Sequence, residues 1–69
     1  MKTYLLVKVI PYEGDTPLGV YATKDDAEAA AKVWWAEDKW NATDDLWVYE
    51  YVLGATPASQ GGAGWRVVQ

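Results

Sequence analysis

Residues 23–40, TKDDAEAAAKVWWAEDKW, constrain the fold most, because no other stretch of the chain is long enough and alanine-rich enough to predict a helix. Thr23 is suited to cap the N-terminus of this helix, with Asp26 three residues later. Asp25 and Asp26 lie in the first turn, where carboxylates oppose the positive end of the helix dipole. The remaining segments are short, so we expect them to pack on this helix.

Two apolar stripes are predicted on the helix, although a helix at a protein surface needs only one. The first stripe consists of Ala27, Ala31 and Trp34, and we expect it to face the core. The second stripe consists of Ala29, Val33, Ala36 and Trp40. Two explanations of the second stripe remain open: Trp40 leaves the helix and folds back as a lid, or this face meets a partner.

Short strands are predicted before and after the helix, over residues 3–10, 18–22, 46–53 and 65–68. Residues 12–17 are typical of a turn, and residues 54–64, rich in Gly and Ala, predict a mobile loop. The chain of 69 residues therefore predicts one α+β domain over residues 1–69, with an antiparallel sheet of three to four strands and one helix across one face, in the order ββαββ.

Side-chain alternation along the strands predicts which residues face the helix. The helix-facing set is expected to contain Leu5, Val7, Val9, Trp47, Tyr49 and Tyr51, packed against Trp34. The opposite set is Leu6, Ile10, Val48 and Val52, with Lys8 and Glu50 placed to pair across strands. That face is more apolar than a free sheet face should be, so either the C-terminal tail or a second molecule should cover it.

Composition argues against several classes of function. The chain has no His and no Cys, which removes the commonest general base and the usual nucleophilic triads and thiolate metal sites. We therefore expect no enzyme activity, no cofactor and no metal. A net charge of −4 argues against direct nucleic-acid binding. No stretch approaches the roughly 20 apolar residues of a membrane span, and we expect a cytoplasmic protein without membrane contact.

The predicted chain directions gather carboxylates at one end of the domain, where the helix ends and two strands begin. These residues are Glu13, Asp15, Glu37, Asp38, Asp44 and Asp45, with Lys39 as the only expected counter-charge. Trp35, Trp40 and Tyr12 are expected nearby as aromatic anchors for a partner. Such carboxylates imitate the phosphates that basic proteins bind. Solvated loops of an acidic chain would group in the same way, so both interpretations remain open.

Residues 18–30, LGVYATKDDAEAA, resemble the strand–cap–helix passage of many short phage β-α-β proteins, and residues 46–53 fit the aromatic strand that comes after the helix in such proteins. In general style, the chain is similar to the small acidic inhibitors of phages and mobile elements, of which anti-CRISPR proteins are the best-known class. The resemblance implies a stoichiometric inhibitor that occupies a basic, nucleic-acid-binding surface of a host defence effector, such as a CRISPR–Cas complex, in the bacterial cytoplasm. It assigns no site residues.

A different class of function is also consistent with the sequence. The chain would then be a small homo-oligomeric interaction or structural module that associates through an apolar sheet face or the second helix stripe. For the leading interpretation, an inhibitor, we expect a monomer or weak homodimer. On the predicted faces, Val48→Lys or Val52→Lys should disrupt such a dimer.

Overall fold

A computed structural model describes residues 1–54 and 63–68 and contains the predicted helix, α1, over Lys24–Glu37. The side-chain oxygen of Thr23 accepts a hydrogen bond from the backbone N–H of Asp26 at 3.1 Å, as expected for a cap. The helix ends at Glu37 because Asp38 adopts an extended backbone, after which a short 3₁₀ helix spans Lys39–Asn41. Trp40 therefore leaves α1, but its side chain is 78% exposed and is not a lid.

Within the described residues, one antiparallel sheet contains four strands: β1 (Lys2–Ile10), β2 (Gly14–Tyr21), β3 (Asp45–Val52) and β4 (Gly64–Arg66). The order β2-β1-β3-β4 places β1 and β3 in the centre. Because β1 is antiparallel to both neighbours, β2 and β3 run in the same direction, and α1 crosses over β1 to connect them. The predicted α+β architecture is confirmed. No helix within 1–54 and 63–68 is long and apolar enough to cross a membrane.

The second strand is longer than predicted, since β2 begins at Gly14 and not at Leu18. Residues 15–17, which are typical of a turn, pair with β1 instead. Pro17 is tolerated because β2 lies at the edge of the sheet. A register shift leaves Leu18 as an extra residue that packs against the core. The predicted mobile loop falls mostly on residues 55–62, outside the described residues, while Gly64 belongs to β4.

The sheet face that packs against α1 is the opposite of the predicted one. The buried core consists of Leu6, Ala27, Ala31, Trp35, Leu46, Val48 and Val67. Leu6 and Val48, predicted on the exposed face, are 1% and 0% exposed. The set predicted to meet the helix therefore lies on the side of the sheet away from α1. This side, the outer face, carries Leu5, Val7, Val9, Trp47, Tyr49 and Tyr51.

The small side chains of α1 explain this reversal. Ala27 and Ala31 are fully buried, so the helix backbone approaches the sheet closely. The space that remains accommodates aliphatic residues such as Leu6 and Val48, whereas a row of Trp and Tyr would hold the helix further away. Trp35, and not Trp34, takes the central helix position. Both faces of β1 and β3 are apolar, so alternation alone did not distinguish them.

Lys8 and Glu50 share the helix-facing side of the sheet and do not pair with each other, which corrects the predicted outer pair. The Lys8 ammonium lies 5.9 Å from the ring centroid of Trp34. Glu50 instead pairs with Lys2, at 3.4 Å between Oε1 and Nζ. By contrast, Trp65 and Val67 both pack toward the core, as the alternation of the last strand predicts.

Replacement of Ala31 by Leu tests the close approach of α1 to the sheet. We expect Ala31→Leu to lower the free energy of unfolding by about 1–3 kcal/mol, because a filled core has no room for the added carbons. Ala29→Leu is the matched control, since Ala29 is exposed on the same helix, and it should change stability by less than about 0.5 kcal/mol. Urea unfolding followed by tryptophan fluorescence measures both. Equal losses would contradict the close packing.

Candidate functional site

The strand register places the predicted acidic residues around one end of the domain. At this end Val9 of β1 pairs with Asp15 of β2 on one side and with Asp45 of β3 on the other. Helix α1 ends there as well, because it connects the far end of β2 to the start of β3. The term acidic end denotes Glu13, Asp15, Glu37, Asp38, Asp44 and Asp45.

Asp44 joins the end of the helix to the start of β3. Its Oδ2 accepts a hydrogen bond from the indole N–H of Trp34 at 2.9 Å. Its backbone carbonyl accepts a second from the indole N–H of Trp35, also at 2.9 Å. The Asn41 side chain donates to the Trp34 carbonyl at 3.2 Å and so satisfies one of the carbonyls left without a partner at a helix end. The Asp44 carboxylate is thus committed to the fold.

The three predicted aromatic anchors have different surroundings. Trp35 is only 7% exposed, lies in the core and donates its N–H to Asp44, so it does not offer the accessible ring that the sequence predicts. Tyr12, in the turn between β1 and β2, is 107% exposed with a φ of 68°. Trp40 is 78% exposed, and the Lys39 ammonium lies 5.7 Å from its ring centroid. Two large rings therefore face solvent at the acidic end.

Two further carboxylates have partners inside the protein. Asp38 Oδ1 accepts from the backbone N–H of Trp40 at 2.9 Å and caps the 3₁₀ helix. Asp45 Oδ1 accepts from Arg66 Nε at 2.7 Å. This hydrogen bond lowers the pKa of Asp45 below its usual 3.8 and raises the pKa of Arg66. The pair therefore stabilises the fold at pH values above 3.8. This contribution to stability is lost as the pH falls through the lowered pKa of Asp45.

Arg66 corrects the prediction that Lys39 is the only cation at the acidic end. Alternation in the last strand places Arg66 on the face opposite Trp65 and Val67, which the sequence indicates. Its contact with Asp45 depends on the pairing of Trp47 with Arg66, and the sequence carries no signal for that register. The acidic end is consequently less negative than predicted.

Glu13, Asp15 and Glu37 remain available to a partner. All three are exposed, and none makes a side-chain hydrogen bond or ion pair with another residue in the described part of the chain. Asp15 also influences the outer face, because burial and then the charge of Asp15 raise the pKa of Tyr49. Within residues 1–54 and 63–68, three of the six predicted carboxylates thus have side-chain partners and three have none.

An open depression of about 390 Å³ lies at the acidic end, between the end of β1 and the loop before β3. Its lining combines the apolar Val9, Ile10 and Pro11 with Asp44 and Asp45, while Lys8 and Thr43 complete it. Its two carboxylates already accept hydrogen bonds from Trp34 and Arg66, and Lys8 adds a positive charge to its wall.

No protein-family model, curated protein or solved structure matches this chain. Among the residues whose placement is described, no three or more His, Cys, Asp or Glu side chains are arranged to hold a metal. The acidic end offers exposed carboxylates and two exposed aromatic rings beside a depression with apolar and charged walls. Exposed carboxylates attract complementary positive charge.

Substitution of Asp44 separates its structural role from its charge. Asp44→Ala should lower the free energy of unfolding by about 1–3 kcal/mol, because the part-buried indole N–H of Trp34 loses its acceptor. Asp44→Asn keeps an oxygen acceptor while removing the same charge, so it should be clearly less destabilising. Chemical denaturation of both variants measures the difference, and indistinguishable losses would show that the hydrogen bond contributes nothing.

Proposed function

We propose that this protein is a non-enzymatic inhibitor that places its acidic end against a basic, nucleic-acid-binding surface of another protein. The observation that carries the proposal is the grouping of Glu13, Asp15 and Glu37 with the exposed rings of Tyr12 and Trp40. Tyr and Trp are enriched among the residues that dominate binding energy at interfaces. Exposed carboxylates without internal partners supply charge that a basic surface attracts.

The proposed target is a host defence effector such as a CRISPR–Cas complex, which the general resemblance of the chain to small acidic inhibitors of phages and mobile elements implies. Such an effector holds nucleic acid in a basic channel, mainly through phosphate contacts. Carboxylates arranged around one end of a small domain compete for those contacts. Direct binding of nucleic acid by the inhibitor is not part of the proposal, since its net charge is −4.

Recognition would proceed in two physical steps. Charge attraction steers the encounter over about 8–10 Å at physiological salt, because that is the distance over which exposed charges act. Tyr12 and Trp40 then lose water against the partner, and its basic side chains pair with Glu13, Asp15 and Glu37. The hydrogen bonds from Trp34 and Trp35 to Asp44 keep the depression and the 3₁₀ helix in place.

Two double variants of equal net charge test whether position matters. Asp15→Asn with Glu37→Gln removes two free carboxylates from the acidic end. Asp25→Asn with Asp26→Asn removes two carboxylates from the first turn of α1, at the opposite end of the helix. A pulldown from bacterial lysate at low salt identifies the partner. Competition between this protein and labelled DNA for that partner then measures the affinity. We expect the first variant to weaken binding at least about tenfold and the second less than about threefold.

The salt dependence of binding is the second part of this test. Binding should weaken steeply between about 50 and 500 mM salt, since exposed ion pairs are screened. Equal effects of the two double variants would mean that only net charge matters and would contradict a localised acidic site. A partner that binds undiminished at high salt, or that is not displaced from DNA, would contradict the inhibitor mechanism. Circular dichroism confirms that both variants are folded.

A further inference from the structure

The outer face of the sheet is an ordered aromatic surface that the proposed function does not use. Val7 is only 2% exposed although it lies outside the core cluster under α1. The rings of Trp47 and Tyr49 stack with centroids 6.3 Å apart and an angle of 16°. A Cβ at Gly64 would lie 2.5 Å from the Tyr49 ring, so the ring occupies the space above this glycine. The side chains of this face therefore pack on one another.

The rim of the outer face nevertheless meets solvent, while Leu5, Val9, Trp47 and Tyr49 are half-buried. Val20, which pairs with Leu5, is 67% exposed, and Tyr51 is 39% exposed. Within 1–54 and 63–68 no helix or strand packs on this side, since α1 lies on the other side and the 3₁₀ helix contacts α1. Two-layer domains bury one face of their sheet, and the uncovered face is normally polar. The outer face departs from that rule.

We propose that a second copy of this chain packs on the outer face, forming a symmetric dimer through sheet-on-sheet contact. Three strands of eight or nine residues and the three-residue β4, at about 3.4 Å per residue and spaced about 4.8 Å apart, present about 450 Å² per copy. Two copies together bury about 900 Å², which lies in the range of weak interfaces below about 1,200 Å². The area therefore suits a weak dimer, and the interface shares Asp15 and Asp45 with the acidic end.

The charges on the outer face favour a self-complementary contact. Asp45 and Arg66 neutralise each other, and Asp15 is the remaining charge from β2 on this side. A face with so little net charge can meet an identical face without strong repulsion. A basic partner, which the acidic end attracts, gains little from such a surface.

Electrostatics also selects the orientation of the two copies. A two-fold axis along the strands would place both acidic ends side by side. An axis across the strands places them at opposite ends of the dimer, roughly 25 Å apart and beyond the screening distance of about 8–10 Å. We infer the second arrangement, in which the Tyr51 end of each copy lies over the acidic end of the other.

Val20→Lys tests the interface, with Val33→Lys as the matched control. Val20 is 67% exposed on the outer face, whereas Val33 is 64% exposed on the solvent side of α1, so the same change is made at equal exposure. Sedimentation equilibrium should show the wild-type chain dimerising with a dissociation constant between about 1 and 100 µM. Val20→Lys should weaken dimerisation at least about tenfold, while Val33→Lys should change it less than about twofold.

Three results would overturn the inference. A wild-type chain that stays monomeric at about 1 mM would exclude the dimer. Equal weakening by Val20→Lys and Val33→Lys would place the contact elsewhere or make it a charge effect. Marked tightening as salt rises from about 50 to 500 mM would show that the acidic ends are adjacent, against the proposed orientation. Circular dichroism and urea unfolding establish that each variant keeps the native fold.

Discussion

The two indole N–H groups of Trp34 and Trp35 both donate to Asp44, and the arrangement of the chain depends on this contact. A helix that ends without partners leaves carbonyl groups unsatisfied, and a domain of this size has little core with which to compensate. Here the end of the helix is held against Asp44, the residue before β3, by the hydrogen bonds from Trp34 and Trp35. The Asn41 side chain adds a hydrogen bond to the Trp34 carbonyl. The same contact fixes the loop that carries the exposed ring of Trp40. Fold and candidate site therefore rest on one set of hydrogen bonds.

The alanines of α1 divide the aromatic residues between the two sides of the sheet. Because Ala27 and Ala31 let the helix lie close to the sheet, its middle packs on aliphatic residues, while Tyr4, Tyr21, Trp34 and Trp65 pack against this core from its margins. Trp47, Tyr49 and Tyr51 are displaced to the outer face as a result. Close packing on one side thus creates the unusual surface on the other, and the exposed aromatic face is a consequence of the composition of the helix.

Local signals in the sequence predict the elements better than their contacts. The Thr23 cap, the alternation of residues 46–53 and the placement of Trp65 with Val67 all depend on neighbouring residues, and these predictions are confirmed. Which face of β1 meets the helix depends instead on how closely two layers approach, which no single segment encodes. The role of Asp44, the pairing of Arg66 and the burial of Trp35 depend on the same tertiary geometry. Turn-forming residues in 15–17 were misleading because an edge strand tolerates them.

The acidic end and the outer face meet only near Asp15 and Asp45, so occupation of one leaves most of the other free. In a dimer whose acidic ends point in opposite directions, each copy presents one anionic surface to a separate basic site. Binding of the first site would raise the effective concentration of the second acidic end wherever the target offers two basic sites within reach. Dimerisation and inhibition, which have Asp15 in common, would then reinforce each other, because modest affinity at each end becomes avidity without any additional contact.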